Sequence, residues 1–409
     1  MLNEDKRYYF PLLILFLCLN DTFDTYATNY PNVIGSFIES EFSLTHSTFL
    51  LIMGIASAGM YFVFVNQYLS DLFGRRVMMA VIMVGIGISS IIISTSMNPI
   101  QYTIGVFLLY IFFSSDIWVI FLSEQSSEKH RAKYISLVLI FGAIGGAFTI
   151  PLFRSILLPV YSWRSMMWFA YIAIPIGFLA FIFKESKAYR KMLTERIDRQ
   201  EKQKLGDLKK VTKIFNKKIY KSTIVISLFG FFVGFNYVFN ISGEPYLKID
   251  RGLSDSQVNL VITLLALGAI LGYLISGILS DYMGRKPTLY LFSALFPVGM
   301  LLVIFGDFIL ILVGGFISSI SYWSLFTTSR MVSLEIFPTD IRGAGAGFRN
   351  LCYAIGTTTG SFFTSFILKY IGLGFSFLLN SIFLVIMIPL IFLFIKETKG
   401  IKLDFTELL

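Results

Sequence analysis

The chain has 409 residues, of which 56% are hydrophobic and only 14% are charged, and its mean hydropathy is +0.74. About a quarter of the residues of a soluble globular domain are charged, so this composition excludes an ordinary soluble protein. The formal net charge of +9 does not indicate a nucleic-acid partner, because most of the basic residues lie in connections between long apolar segments.

Apolar segments that are long enough to cross a bilayer recur along nearly the whole chain. A helix needs roughly 20 mainly apolar residues to span the hydrocarbon core, and these segments lack the alternating pattern of barrel strands. The sequence therefore predicts an all-α membrane protein with twelve transmembrane helices in two pseudo-symmetric six-helix bundles. The predicted spans are 9–33, 49–69, 77–97, 101–123, 134–157, 166–183, 220–246, 257–279, 287–306, 308–334, 343–368 and 373–395.

The first predicted span contains two acidic residues and is followed by no small-residue cleavage site, which indicates a retained span and not a signal peptide. Asp21 and Asp24 are three residues apart and therefore share one helix face. Two carboxylates this close in a low-dielectric span cannot both be charged cheaply, so we expect one to hold a proton near neutral pH. Asp21 and Asp24 are the predicted proton-coupling residues.

The basic residues fall mainly in alternate connections. Of the 34 Lys and Arg residues, 26 lie before the first span, in the even-numbered connections or after the last span. The positive-inside rule then places both termini in the cytoplasm of a cell that carries the protein in its plasma membrane. The opposite loops are poor in basic residues, and 39–48 contains none.

The longest connection, 184–218, carries thirteen Lys and Arg residues against five acidic ones. It divides the chain into an N-terminal bundle (1–183) and a C-terminal bundle (219–409). The stretch from Tyr189 to Leu205 would suit short helices on an anionic lipid surface, and a solvated basic loop is an equally good interpretation.

Three polar motifs of the first half return in the second at offsets of 210 to 212 residues. They are 69–76 and 279–286, then Glu124 with Arg131 and Glu335 with Arg342, and finally Lys184-Glu185 and Lys396-Glu397. Each motif lies at a cytoplasmic helix end, where salt bridges could open and close with the two halves. The predicted gating residues are Asp71, Gly74, Arg75, Arg76, Glu124, Arg131, Asp281, Gly284, Arg285, Lys286, Arg330, Glu335 and Arg342.

These motifs, together with Trp163-Arg164 and the segments 335–339 and 396–400, resemble those of the major facilitator superfamily over essentially the whole chain. The resemblance implies alternating access by rocking of two bundles around a substrate site near the midplane. The run 19–26 is similar to the first-helix Asp-Gly-x-Asp signature of aromatic acid and related metabolite:proton symporters, with Thr22 in place of the glycine. An arginine that this subfamily carries near the start of the fourth helix is absent from 101–105.

The expected function is therefore proton-coupled symport of a small organic metabolite, such as an organic or aromatic acid, by a monomer in contact with membrane lipid. A buried cation should receive the carboxylate of such a substrate, and Arg349 is the main candidate, with Arg330 second. The predicted substrate-binding residues are Arg349, Asn350, Tyr353, Asn236, Tyr237, Asn240 and Asp116. Asn236, Tyr237 and Asn240 would serve equally well as polar contacts between helices.

Several alternatives stay open. The segments 335–339 and 396–400 also suit a sugar:proton symporter, although 230–240 lacks the paired glutamines of that family. A proton-coupled exporter and a membrane sensor that does not transport are further alternatives. His46 and His130 are the only histidines, and no constellation of nucleophile, base or metal ligands is evident, so we predict no enzyme, metal site or cofactor.

Overall fold

The structure is a computed structural model that describes residues 8–112, 117–126, 128–185, 189–190, 215, 219–337 and 342–399. Within these ranges every regular element is a helix, which confirms the predicted all-α class. The interpretation of 189–205 as surface helices lies almost entirely outside the described residues.

The described part of the first half contains eleven α-helices, several of them joined through short 3₁₀ or π segments. They are α1 (Tyr9–Asn29), α2 (Gly35–Glu41), α3 (His46–Ser57), α4 (Val63–Phe73), α5 (Arg75–Ser94), α6 (Pro99–Ile111), α7 (Ile117–Gln125), α8 (Glu128–Ile144), α9 (Ile150–Leu157), α10 (Trp168–Tyr171) and α11 (Ala173–Leu179).

The described part of the second half contains seven longer α-helices. They are α12 (Tyr220–Phe235), α13 (Val238–Pro245), α14 (Asp255–Met283), α15 (Arg285–Phe305), α16 (Phe308–Ile336), α17 (Arg342–Ile371) and α18 (Leu373–Phe394). A π segment, Tyr246–Asp250, continues α13.

Nine helical stretches in the described residues are long and apolar enough to cross a membrane. The helix α1 is not among them, since its second half carries Asn20, Asp21 and Asp24. With α1, the pair α6 and α7, and the pair α8 and α9, the helices form twelve successive groups at the positions of the twelve predicted spans.

The chain forms two compact units. The first unit contains residues up to Pro31 together with Ile55–Gly206, and the second contains Asn32–Gly54 together with Asp207–Leu409. The segment 32–54, which follows the first span, thus packs with the second half of the chain.

Glycines set the distance between α12 and α17 in the second unit. A Cβ at Gly234 would lie 2.0 Å from the carbonyl oxygen of Tyr353, and a Cβ at Gly356 would lie 2.0 Å from that of Phe231. Lipid gives no hydrophobic driving force for helix pairing, so close backbone contact through small residues is a main source of attraction between spans. This contact fixes α17, and with it Arg349, against α12.

We predict that Gly234→Ala lowers the free energy of unfolding by about 1–3 kcal/mol, because the added methyl group has no room between two backbones. Gly277→Ala is the matched control: it also lies inside a helix, and no atom lies within 4 Å of its would-be Cβ. Thermal unfolding in detergent should show a lower midpoint for the first variant alone. Equal midpoints would contradict the proposed role of the close contact.

Candidate functional site

The acidic pair lies buried on α1 in the first unit. Asp21 is 8% exposed and Asp24 is 6% exposed. A Cβ at Gly142 would lie 1.9 Å from Oδ2 of Asp21, so the Asp21 carboxylate faces α8 at a point where only glycine leaves room. Oγ1 of Thr22 donates a hydrogen bond to the carbonyl of Phe141 at 3.1 Å, which holds the same two helices together.

Arg154 is a buried cation of the first unit that the sequence reasoning missed. It lies in α9 and is 3% exposed. The ring of its neighbour Phe153 packs at 5.9 Å from the ring of Tyr26, two residues after Asp24. An ionisable residue inside a membrane span is energetically costly and is therefore a candidate for function. This rule led to Asp21, and it applies equally to Arg154.

Arg349 is completely buried in α17 of the second unit. Its Nη1 donates to Oδ1 of Asn350 at 3.0 Å, and its Nη2 donates to the carbonyl of Phe326 at 3.2 Å and to Oγ of Ser329. Within the described residues, Arg349 forms no salt bridge with a carboxylate, and its buried Nε has no hydrogen-bond partner. The guanidinium therefore keeps unused capacity for an anion.

Arg330 lies close enough to Arg349 for the two positive charges to repel each other. It is located on α16, one helical turn from Phe326, and is half-buried. The positive charge of Arg330 therefore adds to the cost of keeping the buried Arg349 charged.

Aromatic side chains surround this cation. The guanidinium lies 5.1 Å from the ring centre of Phe326 and 5.8 Å from that of Tyr353. The hydroxyl groups of Tyr322 and Tyr353 are 3.0 Å apart, and the ring of Tyr237 packs 6.2 Å from Tyr322 and 6.4 Å from Tyr353. The predicted residues Arg349, Asn350, Tyr353 and Tyr237 thus come together, and Tyr322, which the sequence did not single out, completes the group.

The helix break between α12 and α13 separates the roles of the predicted polar residues. Nδ2 of Asn236 donates to the carbonyls of Phe232 at 2.9 Å and Asn380 at 3.0 Å, so this side chain joins α12 to α18. Tyr237 points instead to the tyrosine group, where its hydroxyl accepts a hydrogen bond from Nδ2 of Asn32 at 3.0 Å. Asn240 is half-buried on α13. Asp116 lies outside the described residues.

The repeated loops of the two units are built alike. Gly74 and Gly284 both have positive φ values, 100° and 104°, which glycine adopts without strain. Nη1 of Arg75 donates to the carbonyl of Ser70 at 3.0 Å, and Nη1 of Arg285 donates to that of Ser280 at 3.0 Å. The repeat seen in the sequence therefore extends to individual hydrogen bonds.

Carboxylates complete both loops. Arg75 pairs with Glu124 at 3.3 Å, and Arg285 pairs with Glu335 at 2.9 Å and with Asp281 at 2.9 Å. Each contact joins groups of the same unit. The side chains of Asp71, Arg131 and Arg342 lie outside the described residues, so the expected partners within the Glu124/Arg131 and Glu335/Arg342 motifs stay predictions.

In each unit, a glutamate accepts hydrogen bonds from the first backbone amides of one helix, α5 in the first unit and α15 in the second. Glu185 accepts from the amides of Arg75 and Arg76 at 3.3 and 3.0 Å, and Glu397 accepts from those of Arg285 and Lys286 at 2.8 and 3.0 Å. A negative charge at a helix N-terminus is favourable.

The two glutamates differ in electrostatics. Burial raises the pKa of Glu185, although the amides and the neighbouring arginines oppose it. Burial also disfavours ionised Glu397, but four backbone amides, including those of Thr398 and Lys399, outweigh it and lower the pKa of that carboxyl group.

Comparison with protein families gives a match over most of the chain. The family described as Major Facilitator Superfamily matches residues 15–243 and 224–407. The Probable polyol transporter 3 of Arabidopsis thaliana is 26% identical over 36% of this chain and 29% of its own length. The Probable 4-methylmuconolactone transporter of Cupriavidus pinatubonensis is 25% identical over 59% of this chain and 55% of its own length. The chain thus spans about half or less of the length of these relatives.

Solved structures share the fold over nearly the full length. A D-xylose-proton symporter superposes with a TM-score of 0.77, covering 96% of this chain and 100% of that chain at 18% identity. The inward-open xylose transporter of E. coli gives a TM-score of 0.76, covering 98% and 99% at 18% identity. At such identities the likeness concerns the fold alone. None of these matches indicates an enzyme family.

We predict opposite pH dependences for the two amide-binding glutamates. A lowered pKa means that ionised Glu397 stabilises the fold above the pKa of the unfolded chain and loses this effect as the pH falls through the folded pKa. A raised pKa means that Glu185 stabilises the fold more as the pH falls. Near neutral pH, Glu397→Gln should therefore lower the unfolding midpoint more than Glu185→Gln, by about 1–3 °C.

The measurement is thermal unfolding of both variants in detergent at about pH 7.5 and about pH 4.5, which lie on either side of the ordinary carboxyl range. The difference between the variants should shrink at the lower pH. A larger loss from Glu185→Gln at neutral pH would show that burial does not decide the behaviour of these carboxylates.

Proposed function

Because the chain belongs to the Major Facilitator Superfamily, we propose that it is a secondary active transporter that takes up a small organic anion together with protons. Members of this superfamily are transporters, so the coarse function follows from the family. The proposal adds the charge of the substrate, the coupling ion and the direction.

Arg349 carries the proposal. It is fully buried, its Nε has no hydrogen-bond partner in the described residues, and Arg330 adds a second positive charge nearby. Removing a charge from water without a counter-charge is expensive. A carboxylate ligand would supply that counter-charge through charge-assisted hydrogen bonds, and the hydroxyls of Tyr322 and Tyr353 would bind the polar atoms beside it.

Asp21 and Asp24 are the proposed proton carriers. Both are buried, they lie one turn apart on α1, and Gly142 lets the fifth predicted span approach the Asp21 carboxylate closely. Two neighbouring carboxylates bind a shared proton more readily than a single one does. We propose that a proton enters this pair with each substrate and leaves on the inner side, as the two units alternate in access.

We place the protein in the plasma membrane with both termini in the cytoplasm, since 26 of its 34 Lys and Arg residues would then face the cytoplasm. We also propose that it acts as a monomer, because one chain contains both halves of the repeat. Its partners are then the substrate, protons and lipid.

Sugar or polyol transport is the second candidate. Relatives named as polyol transporters support it, and so does the fold shared with the D-xylose-proton symporter. The hydroxyl groups of Tyr237, Tyr322 and Tyr353 would suit a neutral polyol as well as a carboxylate. Arg349 distinguishes the two candidates, because a neutral ligand leaves its charge without a counter-ion. Uptake of labelled organic acids, sugars and polyols by proteoliposomes with an imposed proton gradient would decide between them.

We predict that Arg349→Gln raises the Kd of the carboxylate substrate by about 10- to 100-fold, the loss expected for a hydrogen bond to a charged group. The Kd of an uncharged analogue should change by less than about 3-fold. Ligand-induced shifts of the unfolding midpoint would measure both values on purified protein.

Arg164→Gln is the control. Arg164 is half-buried and, like Arg349, donates to a backbone carbonyl, that of Ser96, but it lies in the first unit. It should leave both affinities unchanged. Equal losses for the charged and uncharged ligands in Arg349→Gln would assign Arg349 a structural role.

We predict that Asp24→Asn abolishes uphill uptake driven by a pH gradient and retains exchange of internal for external substrate. A fixed neutral amide can bind substrate without carrying a proton across. Proteoliposomes with and without a pH gradient separate the two activities, and Asp21→Asn, one turn away, is the matched variant. Proton-driven uptake at the original rate in both variants would exclude this pair as the coupling site.

A further inference from the structure

The segment 32–54 is held in the second unit by polar contacts at several points. The backbone amide and the hydroxyl of Ser36 each donate to the carboxylate of Glu244, both at 2.7 Å. Oγ of Ser47 donates to the carbonyl of Ser365 at 2.9 Å. These bonds attach the turn between the first and second predicted spans to α13 and α17.

His46 makes two further polar contacts in this region. Nε2 of His46 lies 2.9 Å from Oδ2 of Asp250, and Nδ1 lies 2.7 Å from Oε2 of Glu39. The second contact is a close approach of the two groups, and Oε1, the other carboxylate oxygen of Glu39, is buried without a hydrogen-bond partner. The imidazole thus lies between two carboxylates that approach opposite nitrogens.

The imidazole of His46 needs an additional proton to bind both carboxylates. A carboxylate only accepts, and a neutral imidazole has a single N–H, so it can satisfy one of the two carboxylates. The other nitrogen would then present a lone pair to a carboxylate oxygen at less than 3 Å. Both contacts become favourable only when the group of three holds one more proton, either on the ring or on a carboxyl group.

The surroundings favour uptake of this proton. Glu39 is 4% exposed, and burial raises its pKa, with the charges of Glu244 and Asp250 adding to the effect while His46 opposes it. Lys248 lines the same cavity as Glu39, but it pairs with Asp255 at 2.7 Å and packs over Phe37. The other charged or titratable groups around the segment are Glu41 at the end of α2, Tyr246, and Arg251, whose guanidinium donates to the carbonyls of Val303 and Gly306.

We propose that Glu39, His46 and Asp250 form a second proton-binding site, separate from Asp21 and Asp24, whose proton holds the segment 32–54 against Tyr246–Asp250. Loss of the proton removes one of the two His46 contacts and loosens the segment. The charge pattern places this segment on the outer face, so the site would respond to external pH. The site is built from contacts of the second unit alone and does not depend on the charge of the substrate.

Spin-label distances test this site without any substrate. Labels at Ser40→Cys on α2 and Ser256→Cys on α14 report the separation of the segment from the start of the eighth predicted span, and both native side chains are exposed. The background carries Cys18→Ser and Cys352→Ser. Burial lowers the pKa of His46, but the hydrogen bonds and charges of Asp250 and Glu39 outweigh it and raise the pKa to about 9. Between about pH 6.5 and about pH 10.5, which lie on either side of this value, the fraction of long distances should rise at least about 3-fold.

Two substitutions should act in opposite directions. His46→Gln can donate to only one carboxylate and should give a high, pH-independent fraction of long distances. Glu39→Gln should keep the short distance at both pH values, because its amide donates to a neutral Nδ1 while Nε2–H donates to Asp250. A merely structural contact would instead be weakened by both substitutions.

Lys248→Gln is the control, since it removes a neighbouring charge but leaves all three groups in place, and it should keep the pH response of the parent. The proposal is overturned if the distances in the parent do not change with pH, or if Glu39→Gln loosens the segment as His46→Gln does.

Discussion

Water cannot satisfy a backbone amide or carbonyl group inside a lipid bilayer, so each of these groups must bond within the protein. Every regular element in the described part of this chain is a helix, in which those bonds are local. Helices whose backbone groups are already hydrogen-bonded are stabilised further by close contact with one another. Glycines allow such a contact between α12 and α17. Arg349 and Tyr353 both lie on α17 beside this contact, so it helps to set their positions.

Charge is the second constraint, and it is met differently at the loop ends and inside the second unit. At the loop ends, the arginines of the repeated motifs are neutralised locally, by Glu124 in one unit and by Glu335 in the other. Inside the second unit, Arg349 has only neutral hydrogen-bond acceptors among the described residues. This contrast supports the proposal that Arg349, and not the paired loop arginines, receives a negatively charged ligand.

Internal symmetry has limits that follow from local environment. Glu185 and Glu397 occupy equivalent places and bind equivalent backbone amides, yet burial raises the pKa of the first and additional amides lower the pKa of the second. The segment 32–54 breaks the symmetry further, because it packs within the second unit. Its polar contacts reach α13, α17 and the π segment Tyr246–Asp250, where His46 meets Asp250. The sequence repeat does not reveal these contacts.

The sequence by itself determined the helical class, the approximate spans, the repeat of about 210 residues and the common face of Asp21 and Asp24. These properties depend on composition and on spacing within a helix, which short-range rules describe well. The same rules would have identified Arg154. The tertiary structure alone decided that Glu124 pairs with Arg75, that Tyr322 joins Tyr353 beside Arg349, and that Asn32 binds Tyr237 across 205 positions of the chain. Such contacts depend on which helix faces meet, and a single sequence without its fold does not specify those faces.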